Sequence, residues 1–378
     1  MKTRVTQSEI AHVAGVHNTT VSLALRNCPS IPEATRKRIH AIAEELGYSP
    51  DPVLQALIAY RNGRTPNRRH ETLAYVTNWN SRWGWQNVPA HARYHVGAQR
   101  RAAQLGFQLE HFWFGEPGMS PRRFGNMLFH RGVSGVILAS HRDDCDALLE
   151  MEWPRVTAVK IGCFPHAPAL NRVSYDRSGA MRMAMRHIRA AGYTRIGVVM
   201  PRAWDDCADQ AWSAGFLVEQ ARGPADERVP ILWHGAGRFD GAGLEEAEGC
   251  PVPLPVLDTW LRRHQPEVVL GASGQVRGQL EALGLVVPRD IAYADLFLDG
   301  SETGVAGVRE RCERVGEVAT ELLVTQMHQN LRGLPEGAME TLVEGSWTDG
   351  ESLPVRGSEI RWTGPRASCT EKRLTRVA

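Results

Sequence analysis

The stretch that decides the N-terminal fold is Ala11–Leu25, with the sequence AHVAGVHNTTVSLAL. Apolar residues recur in it at helical spacing on both sides of Gly15, a residue type that permits a tight turn. Upstream, Thr6 stands three residues before Glu9, and this pair has the pattern of the capping box that begins many helices. The stretch therefore predicts two short helices joined by a turn.

Two further elements complete this N-terminal unit. The second helix is expected from about His17 to Arg26, and a third from Pro32 to Leu46, followed by a glycine that stops it. Three short helices with small residues at the turn predict a helix-turn-helix domain over residues 1–48. Such a domain places its second helix in the major groove of DNA. A generic three-helix bundle is the alternative interpretation.

Charge and composition narrow the class of protein. Residues 1–70 hold ten Lys/Arg and five Asp/Glu, a net +5, whereas the rest of the chain carries 34 and 37, a net −3. This asymmetry indicates an anionic partner for the N-terminal end alone. A length of 378 residues predicts two or three domains. No run of about 18 apolar residues occurs, so we expect no membrane span.

Several other classes of site find no support. The start of the chain leads into no apolar run, so we expect no signal peptide. The seven cysteines are odd in number and form no CxxC pair, so we expect free thiols in a reduced cytoplasmic compartment. His91 and His95 lack an evident third ligand and are expected on the surface. The glycines of 235–241 fail the dinucleotide spacing, and no nucleophile elbow occurs. We expect no metal, no cofactor and no enzymatic activity.

The N-terminal motif resembles the headpiece of the LacI/GalR family of transcription regulators. The matching positions are Val5, Thr6, Glu9, Ile10, Ala11, Ala14, Gly15, Val16, Thr20, Val21, Ser22, Thr35, Arg36 and 43–50. The resemblance is dense here and looser to about residue 353. It implies an all-α helix-turn-helix headpiece followed by an α/β periplasmic-binding-protein-like core of two parallel-sheet subdomains. It also implies a sequence-specific repressor that binds DNA as a homodimer.

The resemblance assigns roles to individual headpiece residues. Asn18 and Thr19 fall where the family places base-reading side chains. Leu23 falls on the third specificity position and offers only apolar contact, for example to a thymine methyl. His17 replaces the usual Ser N-cap, and because imidazole caps poorly this helix start is expected to depend on DNA phosphate. Backbone contacts are expected from Thr6, Thr20, Ser22, Asn27, Thr35 and Arg36, with local capping bonds as the alternative for the hydroxyls. Tyr48 is a further expected DNA-binding residue.

Residues 49–70 are expected to form a hinge helix and a basic linker. Leu57 aligns with the leucine that the family wedges into the DNA minor groove, where it kinks the duplex. Asp51 and Gln55 depart from the residues usual at their positions, and the linker is longer and more basic than the family norm. A plain linker helix is the alternative.

From Thr72 onward, apolar runs that indicate strands alternate with helical patterns, which predicts parallel sheets with helices on both faces. The resemblance divides this core of 71–353 into two halves, roughly 71–162 with 297–332 and 163–296 with 333–353. The chain is expected to cross between halves near 161–165, 296–300 and 332–338. A helix over Arg309–Gln329 is expected to serve either as a dimer face or as core. Residues 354–378 lack apolar periodicity and are expected to be disordered.

The cleft between the halves is the expected site of a small polar effector, most simply a carbohydrate, because ligands bind beyond the carboxyl ends of parallel strands. The candidates are Asn78, Trp79, Trp83, Ser140, His141, Arg202, Trp212, Ser273 and Asp295. Aromatic faces suit sugars, but a Trp-stapled loop or a dimer contact is the alternative for the first loop. Trp212 stands where relatives carry Arg, and Ser273-Gly274 where they carry Asn-Asp. Two alternatives therefore stay open: a regulator that has lost its ligand, and a carbohydrate-binding protein that does not regulate DNA.

Overall fold

The computed structural model describes residues 6–25, 28, 30–46, 48, 71–79, 81–141, 153–162, 168–235, 251–271, 274–298 and 303–356. The predicted hinge with Leu57, together with Asn27 and Ser273, lies outside the described residues. At Ser140 and His141 only the backbone is described. None of the helices in the described part of the chain is long and apolar enough to span a membrane.

The N-terminal unit consists of three helices, α1 (Gln7–Ala14), α2 (Asn18–Leu25) and α3 (Glu33–Glu45). The predicted capping box is present: the Glu9 amide donates to the Thr6 hydroxyl at 3.4 Å, and the Thr6 amide donates to the Glu9 carboxylate at 2.6 Å. Gly15 ends α1 with a φ of +62°. One small apolar core joins the helices, formed by Ile10, Ala11, Ala14, Val21, Ala24, Ile39 and Ala43. The helix-turn-helix prediction is confirmed.

The core contains two six-stranded sheets. The first has the order β11-β5-β4-β3-β1-β2, and all its neighbouring strands are parallel. Its strands are β1 (Glu71–Asn78), β2 (Phe107–Trp113), β3 (Gly135–His141), β4 (Thr157–Ile161), β5 (Arg172–Tyr175) and β11 (Glu340–Val343). The inner strands are long apolar runs because both faces of a parallel sheet are covered by helices.

The second sheet has the order β12-β10-β9-β8-β6-β7, in which only β12 is antiparallel to its neighbour. Its strands are β6 (Ile196–Pro201), β7 (Leu232–His234), β8 (Val268–Gly271), β9 (Ala292–Asp295), β10 (Ala306–Arg309) and β12 (Ser346–Thr348). Helices cover both sheets: α4 (Pro89–Gln104), α5 (Pro121–His130), α6 (Arg177–Ala190), α7 (Arg202–Asp206), α8 (Ala211–Gln220), α9 (Leu254–His264), α10 (Gln275–Ala282) and α11 (Cys312–His328). The predicted two-sheet α/β core is therefore present.

The chain crosses between the two halves later than the sequence indicated. The crossings lie after β5, at Glu310 between β10 and α11, and between β11 and β12. The expected positions near 161–165, 296–300 and 332–338 are wrong for one reason. Each expected crossing lies before a short strand, and the local sequence does not indicate which sheet such a strand joins. In the structure β5 pairs with β4, β10 with β9, and β11 with β5.

Helix α11 is part of the core of the first half. Val315 and Leu323 are buried, and Val318 and Leu322 pack against the same apolar cluster. It crosses α4 with direct backbone contact, since a Cβ added at Gly97 would lie 1.9 Å from the Glu313 carbonyl oxygen. A Cβ at Gly316 would lie equally close, at 1.9 Å, to the Tyr94 carbonyl oxygen. These apolar residues therefore serve as core packing.

The C-terminal segment is ordered further than expected. The Arg356 amide donates to the Ala191 carbonyl at 2.8 Å, and the Tyr193 hydroxyl donates to the Pro354 carbonyl at 2.9 Å. The guanidinium of Arg356 also lies 4.1 Å from the centre of the Tyr193 ring. Residues 354–356 thus belong to the folded core, and the remainder of the predicted tail, 357–378, lies outside the described residues.

Candidate functional site

The start of α2 presents an exposed polar edge. His17, Asn18 and Thr19 are exposed, whereas Val21 and Ala24 on the opposite face are fully buried. The buried face fixes the helix against α1 and α3, so the exposed side chains project from a rigid support. Thr20, Ser22 and Leu23 are half-buried. The structure therefore brings the predicted base-reading residues to one edge, with Leu23 further along the helix.

His17 caps α2 more directly than the sequence indicated. Its carbonyl accepts from the amides of Thr20 at 2.9 Å and Val21 at 3.2 Å, so it occupies the N-cap position. Its ring nitrogen Nδ1 accepts from the Thr19 amide at 3.4 Å and also contacts the Thr19 hydroxyl. The amide bond is long, which agrees with the expectation that imidazole caps weakly. The contact between the two side chains was not expected.

The other predicted headpiece contacts have local partners. The Thr6 hydroxyl contacts Glu9 within the capping box. The Tyr48 hydroxyl accepts from the Gln7 side-chain amide at 3.0 Å, and Arg36 donates to the Cys28 carbonyl at 3.5 Å. Thr35 is half-buried on α3. Several of these side chains thus form local hydrogen bonds within the headpiece, and their contact with DNA stays a prediction.

The ten basic residues of 1–70 are divided between the headpiece, which holds six, and the linker, which holds four. Within the described part, the basic side chains are Arg36, Lys37 and Arg38. Lys37 pairs with Glu33 at 2.9 Å, and Arg38 donates to the Ala14 carbonyl at 3.1 Å. The remaining basic residues lie outside the described ranges, namely Lys2, Arg4, Arg26, Arg61, Arg64, Arg68 and Arg69. Seven of the ten basic residues thus lie outside the described ranges, three of them in the headpiece and four in the linker.

At the end of β1, the tryptophan-rich loop is largely folded into the core. Trp79 and Trp85 are only 3% and 1% exposed and pack with Val88, whereas Trp83 is 51% exposed. The Trp85 indole donates to the Arg82 carbonyl at 3.1 Å, and Trp113 donates to the Trp79 carbonyl at 2.9 Å. Trp79 and Trp85 therefore hold the loop against the core, as the alternative of a Trp-stapled loop predicts. Trp83 is the tryptophan of this loop whose ring is open to a ligand.

Three histidines, two from α4 and one from β2, pack against this aromatic loop, which the sequence did not reveal. The ring of His91 lies 5.5 Å from Trp79, that of His95 lies 5.2 Å from Trp85, and that of His111 lies 4.7 Å from Trp83. His91 is buried and His95 half-buried, so the expectation of two surface histidines is wrong for His91. Their partial or full burial follows from the packing of α4 and β2 against the loop tryptophans, which are contacts with no local sequence signal.

Burial keeps these histidines neutral. Desolvation, assisted by the charge of Arg177, lowers the pKa of His91 to about 4. Desolvation also lowers the pKa of His111 to about 4, with smaller contributions from His95 and Arg82. His111 keeps one anchor, a 2.8 Å hydrogen bond between its Nε2 and the Thr77 hydroxyl. The loop thus has neutral imidazoles among its aromatic rings at neutral pH.

A second aromatic cluster occupies the carboxyl ends of β6 and β9. Trp212 is 2% exposed, and its ring lies 5.2 Å from Phe297 and 6.1 Å from Tyr175. Trp204 lies 5.1 Å from the same Phe297 ring. The Tyr175 hydroxyl and the Trp204 indole N–H are buried without a hydrogen-bond partner in the part of the chain that the structure describes. These two groups are candidates for ligand contact that the sequence did not reveal.

The remaining predicted cleft residues differ in how far they are buried. Asp295 is fully buried and accepts from the Tyr293 hydroxyl at 2.6 Å and from the Phe297 amide at 2.7 Å. Arg202 is exposed, lies 4.9 Å from the centre of the Trp233 ring, and pairs with Asp206. Asn78 is half-buried at the end of β1. Asp295 thus stabilises the turn after β9, whereas Arg202 lies at the surface.

The crossing at Glu310 carries a buried polar contact between elements of the two halves. The Tyr94 hydroxyl of α4 donates to the Glu310 carboxylate at 2.8 Å, and both residues are buried. Burial and the neighbouring Glu310 charge raise the pKa of Tyr94 well above its ordinary value. The bond fixes the start of α11 to α4, at the point where the chain leaves β10.

Similarity to known proteins agrees with this architecture. Residues 6–51 match the family model "Bacterial regulatory proteins, lacI family". The transcriptional repressor CytR of Escherichia coli strain K12 is 25% identical over 91% of this chain and 97% of its own. The regulator CelR of Thermobifida fusca is 29% identical, but the match spans 52% of this chain and about half of that protein, 55%.

Solved structures share the fold of the whole chain. The CelR–cellobiose complex has a TM-score of 0.52 at 22% identity, covering 92% of this chain and 100% of that one. The lac repressor dimer bound to operator and the anti-inducer ONPF has a TM-score of 0.53 at 18% identity, with coverages of 93% and 100%. The helix-turn-helix motif, the full-length relatives and the two-sheet core agree, and the chain belongs to the LacI family of bacterial transcription regulators, which are DNA-binding proteins and not enzymes.

Proposed function

We propose that this regulator is a homodimeric repressor that binds a pseudo-palindromic operator in the bacterial cytoplasm, under the control of a small polar effector. The observation that carries the proposal is the exposed edge of His17, Asn18 and Thr19 on a helix whose other face is fully buried. An exposed polar helix edge on a rigid support is what reading base edges in the major groove requires. Two copies related by a twofold axis match the two half-sites of such an operator.

The segments that flank the headpiece supply the remaining DNA affinity. The basic residues of 61–69 lie between the headpiece and β1, where they can approach phosphates on either side of the half-site. Leu57 serves as the apolar wedge at the centre of the operator. Because the described headpiece residues carry few basic side chains, we expect binding to depend strongly on these flanks and on salt concentration.

A carbohydrate is the effector that best fits the groups at the strand ends. Sugars offer C–H faces that stack on aromatic rings and hydroxyls that both donate and accept. The exposed ring of Trp83, the hydroxyl of Tyr175 and the indole N–H of Trp204 supply complementary groups. The similarity to a regulator solved with cellobiose supports this class of ligand. Ligand binding would alter the closure of the two halves and so the spacing of the paired hinges.

A second candidate is a regulator that no longer responds to a ligand. Trp212 fills the position where relatives carry Arg, and the Asp295 carboxylate already accepts hydrogen bonds from Tyr293 and Phe297. A cleft in which these groups bind each other leaves fewer polar atoms for a sugar. The two candidates share the same DNA-binding function and differ only in effector control.

Selection from randomised DNA duplexes tests the DNA-binding part. Purified full-length protein should enrich a pseudo-palindrome, and its affinity should fall by about 10³–10⁵-fold between about 50 and 200 mM salt. The matched control is the Asn18→Ala, Thr19→Ala double variant, which should lose the sequence preference but keep the salt dependence. Equal enrichment by the control would contradict the assignment of α2 as the reading helix.

Thermal unfolding in the presence of sugars separates the two effector candidates. A ligand at 100 times its Kd stabilises the folded state by about 2.7 kcal/mol and raises the Tm accordingly. We expect a shift with at least one member of a panel of mono- and disaccharides that includes cellobiose. The absence of any shift, with operator binding also unchanged by the panel, would favour the regulator without a ligand.

A further inference from the structure

We propose that His17 is a positioning residue that fixes the hydrogen-bonding direction of Thr19, so that the Thr19 oxygen reads only amino groups on DNA bases. The inference rests on the proposed function, because it concerns how α2 reads its operator. It adds a specificity rule that follows from the arrangement of two side chains in this chain.

The tautomer of the His17 ring is assigned from its hydrogen-bond partner. The Thr19 backbone amide points at Nδ1 from 3.4 Å, and an amide can only donate. Nδ1 must therefore carry the lone pair, which places the ring proton on Nε2. The same Nδ1 also contacts the Thr19 hydroxyl, so this hydroxyl must donate its proton to the ring. The proton of Thr19 is thereby committed before DNA arrives.

Because the hydroxyl proton of Thr19 is donated to His17, the Thr19 oxygen can only accept hydrogen bonds from DNA. In the major groove, adenine N6 and cytosine N4 are the donors, whereas guanine and thymine present O6, N7 and O4 acceptors. Thr19 can thus accept from adenine or cytosine but cannot donate to guanine or thymine. The Nε2–H of His17 has the opposite character and suits a guanine or thymine acceptor or a phosphate oxygen.

The same bond limits the rotamers of Thr19. A helical threonine divides between two χ1 rotamers, and the contact with His17 favours one of them. Ordering this side chain before binding lowers the entropic cost of the complex. Asn18, also exposed, carries both donors and an acceptor in its amide, so its readout has no such restriction.

Selection from randomised duplexes with the full-length protein tests this rule. The wild-type protein should prefer adenine or cytosine over guanine and thymine at one position of each half-site, by about five- to ten-fold. His17→Gly, which keeps a tolerated N-cap residue without a side chain, should lose that preference. Thr19→Val, which keeps the shape and removes the hydroxyl, should lose it equally, and the double variant should lose no more, since the two residues act together.

A rescue variant distinguishes positioning from a general role in folding. His17→Asn restores an acceptor at the N-cap and should recover the preference, although the Nε2–H is gone. Asn18→Ala should change a different base position and serves as the control. The inference is overturned if His17→Gly weakens binding to all duplexes alike, or if it keeps the preference that Thr19→Val loses. Failure of the natural chain to enrich any duplex would overturn the proposed function together with this rule.

Discussion

The two aromatic clusters of the core differ in how they use their polar atoms. Around Trp85 the indole N–H donates to a backbone carbonyl, and the atoms left without a hydrogen-bond partner within the described ranges include the Nδ1 atoms of His91 and His111. Around Trp212 the groups without a partner include a hydroxyl and an indole N–H, both donors. A neutral ring nitrogen can stay unpaired if the ring stays uncharged, whereas a buried donor requires an acceptor. The unpaired hydroxyl and indole N–H of the second cluster are therefore the groups suited to a ligand.

Removing a buried ring from the cluster around Trp85 should have the largest effect on stability. Trp85→Ala should lower the free energy of unfolding by about 3–5 kcal/mol, because it leaves a cavity where a nearly fully buried indole packs with Trp79. Urea unfolding followed by circular dichroism measures the change. Trp83→Ala is the control, and we expect a change within about 0.5 kcal/mol because that ring is half exposed. Similar losses for both variants would remove the distinction between core and open rings in this loop.

Loss of the hydrogen bond between Tyr94 and Glu310 should have the next largest effect on stability. Tyr94→Phe removes the hydroxyl that donates to Glu310 and leaves this buried carboxylate with one hydrogen bond fewer, at a cost of about 1.5–3 kcal/mol. Tyr193→Phe removes a bond to the neutral Pro354 carbonyl and should cost about 1 kcal/mol. Denaturant unfolding of both variants gives the comparison. A larger loss for Tyr193→Phe would show that the Glu310 contact adds little.

The neutral state of His91 should make the first cluster sensitive to acid. The folded-state pKa of about 4 lies below the ordinary 6.5, so the unfolded chain binds the proton more readily between these values. The contribution of His91 to stability is full above about pH 6.5 and is lost as the pH falls toward 4. At about pH 5 the loss amounts to about 2 kcal/mol.

Urea midpoints at about pH 5 and pH 7.5 measure this loss, and His91→Phe should reduce the difference between them. The exposed His130→Gln serves as the control and should leave the difference unchanged. An identical pH dependence in the natural chain and in His91→Phe would show that acid acts through other groups.

The smallest effect on stability is expected in the second cluster. Tyr175→Phe removes a buried hydroxyl that has no partner in the described chain, so the free energy of unfolding should stay the same or rise by about 1 kcal/mol. The same variant should weaken binding of the effector by about five-fold, as expected for one lost hydrogen bond. Thermal unfolding with and without the sugar identified by screening measures both. A loss of stability without ligand would indicate that the hydroxyl already has a partner in the folded chain.

The headpiece and the inner strands could be predicted because their signals are local. The capping box of Thr6 and Glu9 and the helical spacing around Gly15 lie within a few residues of one another. Long apolar runs such as 135–139 are typical of a strand that is covered on both faces. Sheet membership is a long-range property, so the crossings were placed too early at β5, β10 and β11.

The candidate site was predictable only in part, for the same reason. The sequence identified the edge of α2 through its motif, but the contact between His17 and Thr19 depends on side-chain orientation. The tryptophans after β1 were recognised as unusual, yet their burial depends on α4 and β2 packing around them. Tyr175 and Trp204 gave no signal, because an unpaired donor exists only once its neighbours are placed.

The backbone contact between α4 and α11 has a mechanical consequence. With no room for a methyl group at Gly97 or Gly316, the two helices cannot tilt or slide against each other without separating. We expect them to hold β1 and its neighbours as one stiff body, because residues of both helices and of β1 share one buried apolar cluster. A displacement at the carboxyl end of β1 would then reach the opposite end of the strand at Glu71, the residue that follows the linker from the headpiece in the sequence.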